Sequence, residues 1–192
     1  GAYLDEFDLD FLRFKIPPQE NDRLIPQQLL LLKTADQAIQ AAQLKEGGNV
    51  AVLIAMGTEL ELHQFRGRAN LPSQFKELFT QNSEWLTPEQ QALLQTFAMD
   101  SIEQPAQLNQ FTSFIGNIMA SRIAALWDFS GPAFTISAEE NSVFKALEVA
   151  QMLLATAQVE AVVVGAVDLA GSVENVLLRN QLAKINQHAP TL

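Results

Sequence analysis

The chain has 192 residues, 48% of them hydrophobic, enough to bury one sizeable core, so a single domain or a large piece of one is expected. Twelve Lys and Arg stand against 22 Asp and Glu, a formal net charge of −10; a surface of that sign repels phosphate backbones and anionic lipid and argues against nucleic-acid and membrane-surface roles. There is no cysteine, which removes disulfides, thiolate metal sites and cysteine nucleophiles together.

Residues 1–15 (GAYLDEFDLDFLRFK) are acidic and aromatic rather than basic and then apolar. No apolar run reaches the roughly 20 residues of a spanning helix, and the chain reads as a cytoplasmic protein that is not secreted. Pro17-Pro18 forces an extended stretch, and Asn21, Asp22 and Pro26 supply stop and start signals. A helix is expected over residues 26–44, because Leu29, Leu32, Ala35, Ala38, Ile39 and Ala42 recur at helical spacing opposite Lys33, Asp36, Gln37 and Gln40. Gly47-Gly48 closes it. Residues 49–56 (NVAVLIAM) are β-branched and uncharged, as in a strand buried on both faces of a sheet with parallel pairing.

Residues 57–110 are polar and Gln-rich, with helical fragments near 71–80 and 88–98, the second opened by Thr87-Pro88-Glu89. A helix is expected over 109–127, where the small residues Gly116, Ala120 and Ala124 permit close packing. Residues 128–131 break it. A strand over 133–137, a helix over 140–157 and a buried strand over 159–167 (VEAVVVGAV) make a βαβ crossover, which belongs in a layered α/β sheet. The abrupt strand-to-helix junction before residue 140 is where unpaired N–H groups and the helix dipole converge.

Several segments resemble motifs of the β-ketoacyl synthases, in the family's order. Residues 7–12 (FDLDFL) resemble its F-D-x-x-F-F segment and 25–32 (IPQQLLLL) its D-P-Q-Q-R-L-L-L helix. Residues 115–123 (IGNIMASRI) resemble GN-x-x-A-x-R-I, residues 131–137 (GPAFTIS) resemble GP-x-x-T-V-D, residues 138–144 (AEENSVF) fall on T-A-C-S-S-S-L, and residues 162–167 (VVVGAV) fall on the strand ending in G-G-V.

The resemblance implies a thiolase-like layered α/β fold, a mixed sheet with helices on both faces, of which residues 1–192 form the N-terminal half. It also puts Glu140 at the nucleophilic cysteine's position. A carboxylate cannot replace that thiolate, because an acyl anhydride would hydrolyse rather than hold a chain for condensation. The family's two histidines match nothing here and belong to the second half of the fold. The implied function is that of a non-condensing chain-length-factor module, most like those of polyunsaturated fatty acid synthases. Its partners would be an active ketosynthase domain, whose acyl tunnel it helps to shape, and an acyl carrier protein bearing phosphopantetheine. By the same resemblance Ala133, Phe134, Thr135, Ile136 and Ser137 line a dimer seam. Two alternatives are a malonyl-carrier decarboxylase, disfavoured because Glu140 would repel the malonyl carboxylate, and an unrelated α/β binding domain.

Plainer roles compete for each residue. Glu139 and Glu140 at a helix start are stabilised by the dipole, by roughly 0.3–1 kcal/mol each. Arg122 reads as a packed, paired arginine rather than a ligand clamp. Arg66-Gly67-Arg68 reads as a solvated loop, although it is the densest positive patch available to an acidic carrier. His63 and His188 lack neighbours at metal-ligand spacing.

Overall fold

The structure, a computed structural model, describes residues 6–16, 26–57, 60–81, 86–102, 115–169 and 173–184. The chain divides into two compact units, residues 59–108 and the remainder.

The larger unit is organised around strand β1 (Val50–Met56), every residue of which is buried. β1 lies between β2 (Ala133–Ile136) and β3 (Ala161–Val167), and both pairings are parallel, with Val52 opposite Ala133 on one side and Val163 on the other. The side chains of β1 alternate between two cores. Val50, Val52, Ile54 and Met56 join Leu31, Leu32 and Ile39 of α1 (Pro26–Ala41) and Met119, Ala120 and Ile123 of α4 (Ile118–Leu126). Ala51 and Leu53 join Ala150 and Leu153 of α5 (Ser142–Ala155) on the opposite face. Each fully buried Val, Leu or Ile contributes about 1.5–3 kcal/mol, so β1 is stabilised from both sides, as its uncharged sequence predicts.

The layered α/β class is as expected, with helices on both faces; the described strands supply only the parallel part of the expected mixed sheet. The crossover through α5 carries the chain over β1, so β2 and β3 are its two neighbours rather than each other's. Boundaries shift for local reasons. α1 stops at Ala41 rather than residue 44, because Gln43 turns left-handed (φ 55°) while the Leu44 N–H closes on the Ile39 carbonyl at 3.2 Å. The helix expected over 109–127 is described as α4, and residues 109–114 lie outside the described residues.

The opening segment is fixed to α1 by charge. Arg13 donates from Nε and a terminal nitrogen to the two oxygens of buried Asp36, at 2.6 and 2.7 Å, and Gln40 donates to Asp36 at 2.7 Å. This bidentate geometry holds the Arg13 guanidinium pKa above its usual value.

The smaller unit pairs α2 (Leu60–Gln81) with α3 (Pro88–Ile102). α2 runs straight through Pro72, where only a short fragment near 71–80 was expected. α3 begins at the expected Thr87-Pro88-Glu89 opening, closed by a reciprocal pair: the Thr87 hydroxyl accepts from Gln90 N–H at 3.3 Å and Gln90 Oε1 accepts from Thr87 N–H at 2.9 Å. A short C-terminal helix, α6 (Val173–Leu182), follows β3 in the larger unit.

Candidate functional site

The junction between β2 and α5 is built as a sharp elbow. β2 ends at Ile136; Glu139 then takes a left-handed conformation (φ 51°), and the helix starts at Ser142 behind Asn141. The helix therefore begins two residues later than Glu140, and Glu140 stands in the turn that precedes it. A left-handed glutamate is sterically unfavourable and must be held in place. Buried Ser142 does this. Its hydroxyl accepts from Ala138 N–H at 2.9 Å and donates to the Glu139 carbonyl at 2.6 Å, and Asn141 N–H bonds back to the Ala138 carbonyl at 3.0 Å. Glu139 and Glu140 are both exposed, and among the described residues neither carboxylate has an ion-pair partner.

Beyond Glu140, the exposed side of α5 mixes the Lys145–Glu148 ion pair and Gln151 with several apolar side chains. Val143, Phe144, Leu147 and Leu154 are solvent-facing, Phe144 by 69%, while Ser142, Ala146, Ala150 and Leu153 face the sheet. The carboxylate thus stands just before a helix whose exposed side carries several apolar side chains. Among the described residues the elbow offers an exposed carboxylate without an ion-pair partner, and the chain has no cysteine thiol.

Contacts on both edges hold β2 in position for the elbow. Gly131 packs so closely on β1 that a Cβ there would lie 2.5 Å from the Val50 carbonyl carbon and oxygen, and the next residue, Pro132, accepts from Val52 N–H at 2.9 Å. On the other edge Asn117 accepts from Thr135 N–H at 2.9 Å and reaches the Ala133 carbonyl at 3.5 Å, while the Thr135 hydroxyl donates to the Gly116 carbonyl at 2.9 Å. The roles of Asn117 and Ser142 were missed from sequence; both lie inside the quoted motifs, yet nothing local reveals their partners.

The remaining candidates take their plainer roles. Arg122 donates to Oε1 of buried Gln28 at 3.3 Å, tying the residue 115–123 motif to the residue 25–32 motif as a packed, paired arginine. Arg68 lies on α2 rather than in a loop and pairs with Asp100 of α3 at 2.7 Å, because the helix continues through Gly67. His63 falls within α2, its side chain outside the described residues, as is His188 altogether. No His, Cys, Asp or Glu cluster suited to a metal occurs among the described residues, and no described helix is long and apolar enough to cross a membrane. In the smaller unit a cavity of about 590 Å³ lies between α2 and α3, lined by Pro72, Lys76, Phe79, Pro88, Gln91 and Gln95 among others, with no concentration of chemistry.

Residues 1–190 match the family described as the N-terminal domain of β-ketoacyl synthase. A polyunsaturated fatty acid synthase subunit of Thraustochytrium sp. is 38% identical over 185 residues, covering 96% of this chain but 8% of that protein. The solved structure of a PfaC keto synthase-chain length factor superposes with a TM-score of 0.80 at 57% identity, over 94% of this chain and 19% of the other. A ketosynthase from module 6 of the Bacillus subtilis bacillaene synthase shares the fold, with a TM-score of 0.54 at 18% identity, over 91% of this chain and 24% of its own. This chain therefore spans a small part of the longer proteins it resembles.

Proposed function

This chain belongs to the β-ketoacyl synthase family through its N-terminal domain, and on that premise we propose that it is part of a non-condensing, chain-length-factor-type module of a polyunsaturated fatty acid synthase. The observation that carries this reading is Glu140, which stands at the β2–α5 elbow where the family motif has its cysteine, in a chain without any cysteine. The module pairs with an active ketosynthase, which supplies the nucleophile, and helps to shape the tunnel that receives the acyl chain. The substrate of that pair is an acyl group on the phosphopantetheine arm of a carrier protein. Residues 1–192 are the N-terminal portion of the module, with the strand and flank Ala133, Phe134, Thr135, Ile136 and Ser137 at its seam with the partner. Similarity to the PfaC keto synthase-chain length factor and to a polyunsaturated fatty acid synthase subunit supports the assignment.

The reading is tested in the full-length synthase. Removing the partner ketosynthase's cysteine should abolish condensation, because Glu140 offers no second nucleophile. Condensation surviving that change, and lost only when Glu140 is altered, would overturn the reading. A Glu140→Cys variant should be alkylated by iodoacetamide if the elbow is open to acyl groups; resistance would mean that the position is covered in the assembled enzyme.

A further inference from the structure

The smaller unit contributes nothing to either hydrophobic core, and no residue between 67 and 102 whose burial is described is buried. α3 is 15 residues long without one buried side chain, and a helix of that length is only marginally stable in water unless an apolar face is packed. Leu93 and Phe97, one turn apart on the same side, are 72% and 73% exposed. Glu89 stands one turn before Leu93, and Asp100 follows Phe97 by three residues. One line along α3 therefore reads acid, leucine, phenylalanine, acid, over about 17 Å. α3 has no Lys or Arg. Asp100 is already paired with Arg68, whereas Glu89 has no ion-pair partner among the described residues.

We propose that this line of α3 is a docking face whose occupant is a protein surface outside residues 1–192, with an apolar cleft for Leu93 and Phe97 and a Lys or Arg opposite Glu89. Charge selects that occupant. The same face of a second copy is as apolar but also as acidic, and it has no cation to offer Glu89; the chain as a whole carries a net charge of −10, so self-pairing sets like charge on like. A cleft with a basic rim takes the helix by anchors four residues apart, as grooves take amphipathic helices. Contiguous exposed apolar side chains mark interaction sites, and covering these would give the smaller unit the buried surface it lacks.

Photo-crosslinking in the assembled full-length synthase tests it, with p-benzoylphenylalanine in place of Phe97. The crosslinked peptide, identified by mass spectrometry, should come from outside residues 1–192 and carry Lys or Arg within about one helical turn of the crosslinked residue. A crosslink to residues 1–192, of the same or a second copy, or no crosslink at all, would overturn the proposal. Raising the salt from about 0.1 to 1 M shortens the screening length from about 10 to 3 Å and should lower the yield about threefold; a yield that holds refutes the basic rim. Leu93→Ser should reduce the crosslink and speed amide exchange along α3, while Thr96→Ser, off the line, should change neither; equal behaviour of the two variants refutes the apolar cleft. The outcome is separate from the reading of Glu140: condensation that survives loss of the partner's cysteine would sink that reading and leave this crosslink as it is.

Discussion

Replacing Gly131 by alanine should be among the most damaging single changes in the larger unit. The requirement there is for space. The added Cβ would meet the Val50 carbonyl carbon and oxygen at 2.5 Å and the Ala51 nitrogen at 2.8 Å, where carbon contacts are comfortable near 3.5 Å. These neighbours are backbone atoms of the central, fully buried strand, so no rotamer change relieves the clash; β2 must retreat by about 1 Å. That movement weakens the Val52 N–H bond to the Pro132 carbonyl and the register from Ala133 to Ile136, and it crowds Thr135 against Asn117 on the opposite edge. Overpacking costs about 1–3 kcal/mol, and an unyielding backbone neighbour puts Gly131→Ala at the upper end, about 3 kcal/mol. At a urea dependence of about 2 kcal/mol/M, the unfolding midpoint falls by about 1.5 M. Gly57→Ala is the control, since nothing lies within 4 Å of its added Cβ, and it should stay within about 0.5 kcal/mol of the parent. Equal midpoints for the two variants would refute the packing account.

Two further changes probe the elbow and α3. Ser142→Ala strands the Ala138 N–H and releases the left-handed turn at Glu139, so urea unfolding should show a loss of about 1–3 kcal/mol and the Ala138 amide should exchange faster. Glu89 in the first turn of α3 has its pKa held below the usual glutamate value, chiefly by its backbone N–H and then by the Thr87 hydroxyl. With the folded value below the unfolded one, its contribution is present above the unfolded pKa and is lost as pH falls through the folded value; carbon-detected titration of Thr87→Ala should find the Glu89 pKa raised.

Strands β1 and β3 were legible because uncharged, β-branched runs have few other homes, and α1 because its apolar residues recur every three to four positions. The smaller unit was harder. Gly67 and Pro72 look like breakers, yet α2 continues past both; the Arg68–Asp100 ion pair and the packing of α2 on α3 are tertiary contacts that local propensity does not contain. Glu140 was found at the strand–helix junction, but the helix was expected to start there. No sequence rule assigns a left-handed conformation to Glu139, which exists because Ser142, three residues on, clamps it. Asn117 was hidden for the same reason: a polar residue at a helix start implies a cap, and only the fold brings Thr135 within its reach.

The retained motif residues have geometric tasks. Gly131 lets β2 approach β1, Asn117 occupies the edge of β2, Ser142 clamps the elbow, and Arg122 with Gln28 joins α4 to α1. Each task requires its residue type for a reason that does not depend on catalysis. On the proposed reading Glu140 takes the place of the family's nucleophile, and the turn around it is clamped by the Ser142 hydroxyl and the Asn141 N–H rather than by the Glu140 side chain. If Glu140 replaces the nucleophile as proposed, an intact scaffold around it favours a module whose value lies in its surface and in the exposed apolar side chains of α5. A decayed enzyme under no structural demand would have no reason to keep Gly131, where a single methyl group is enough to force β2 off the central strand.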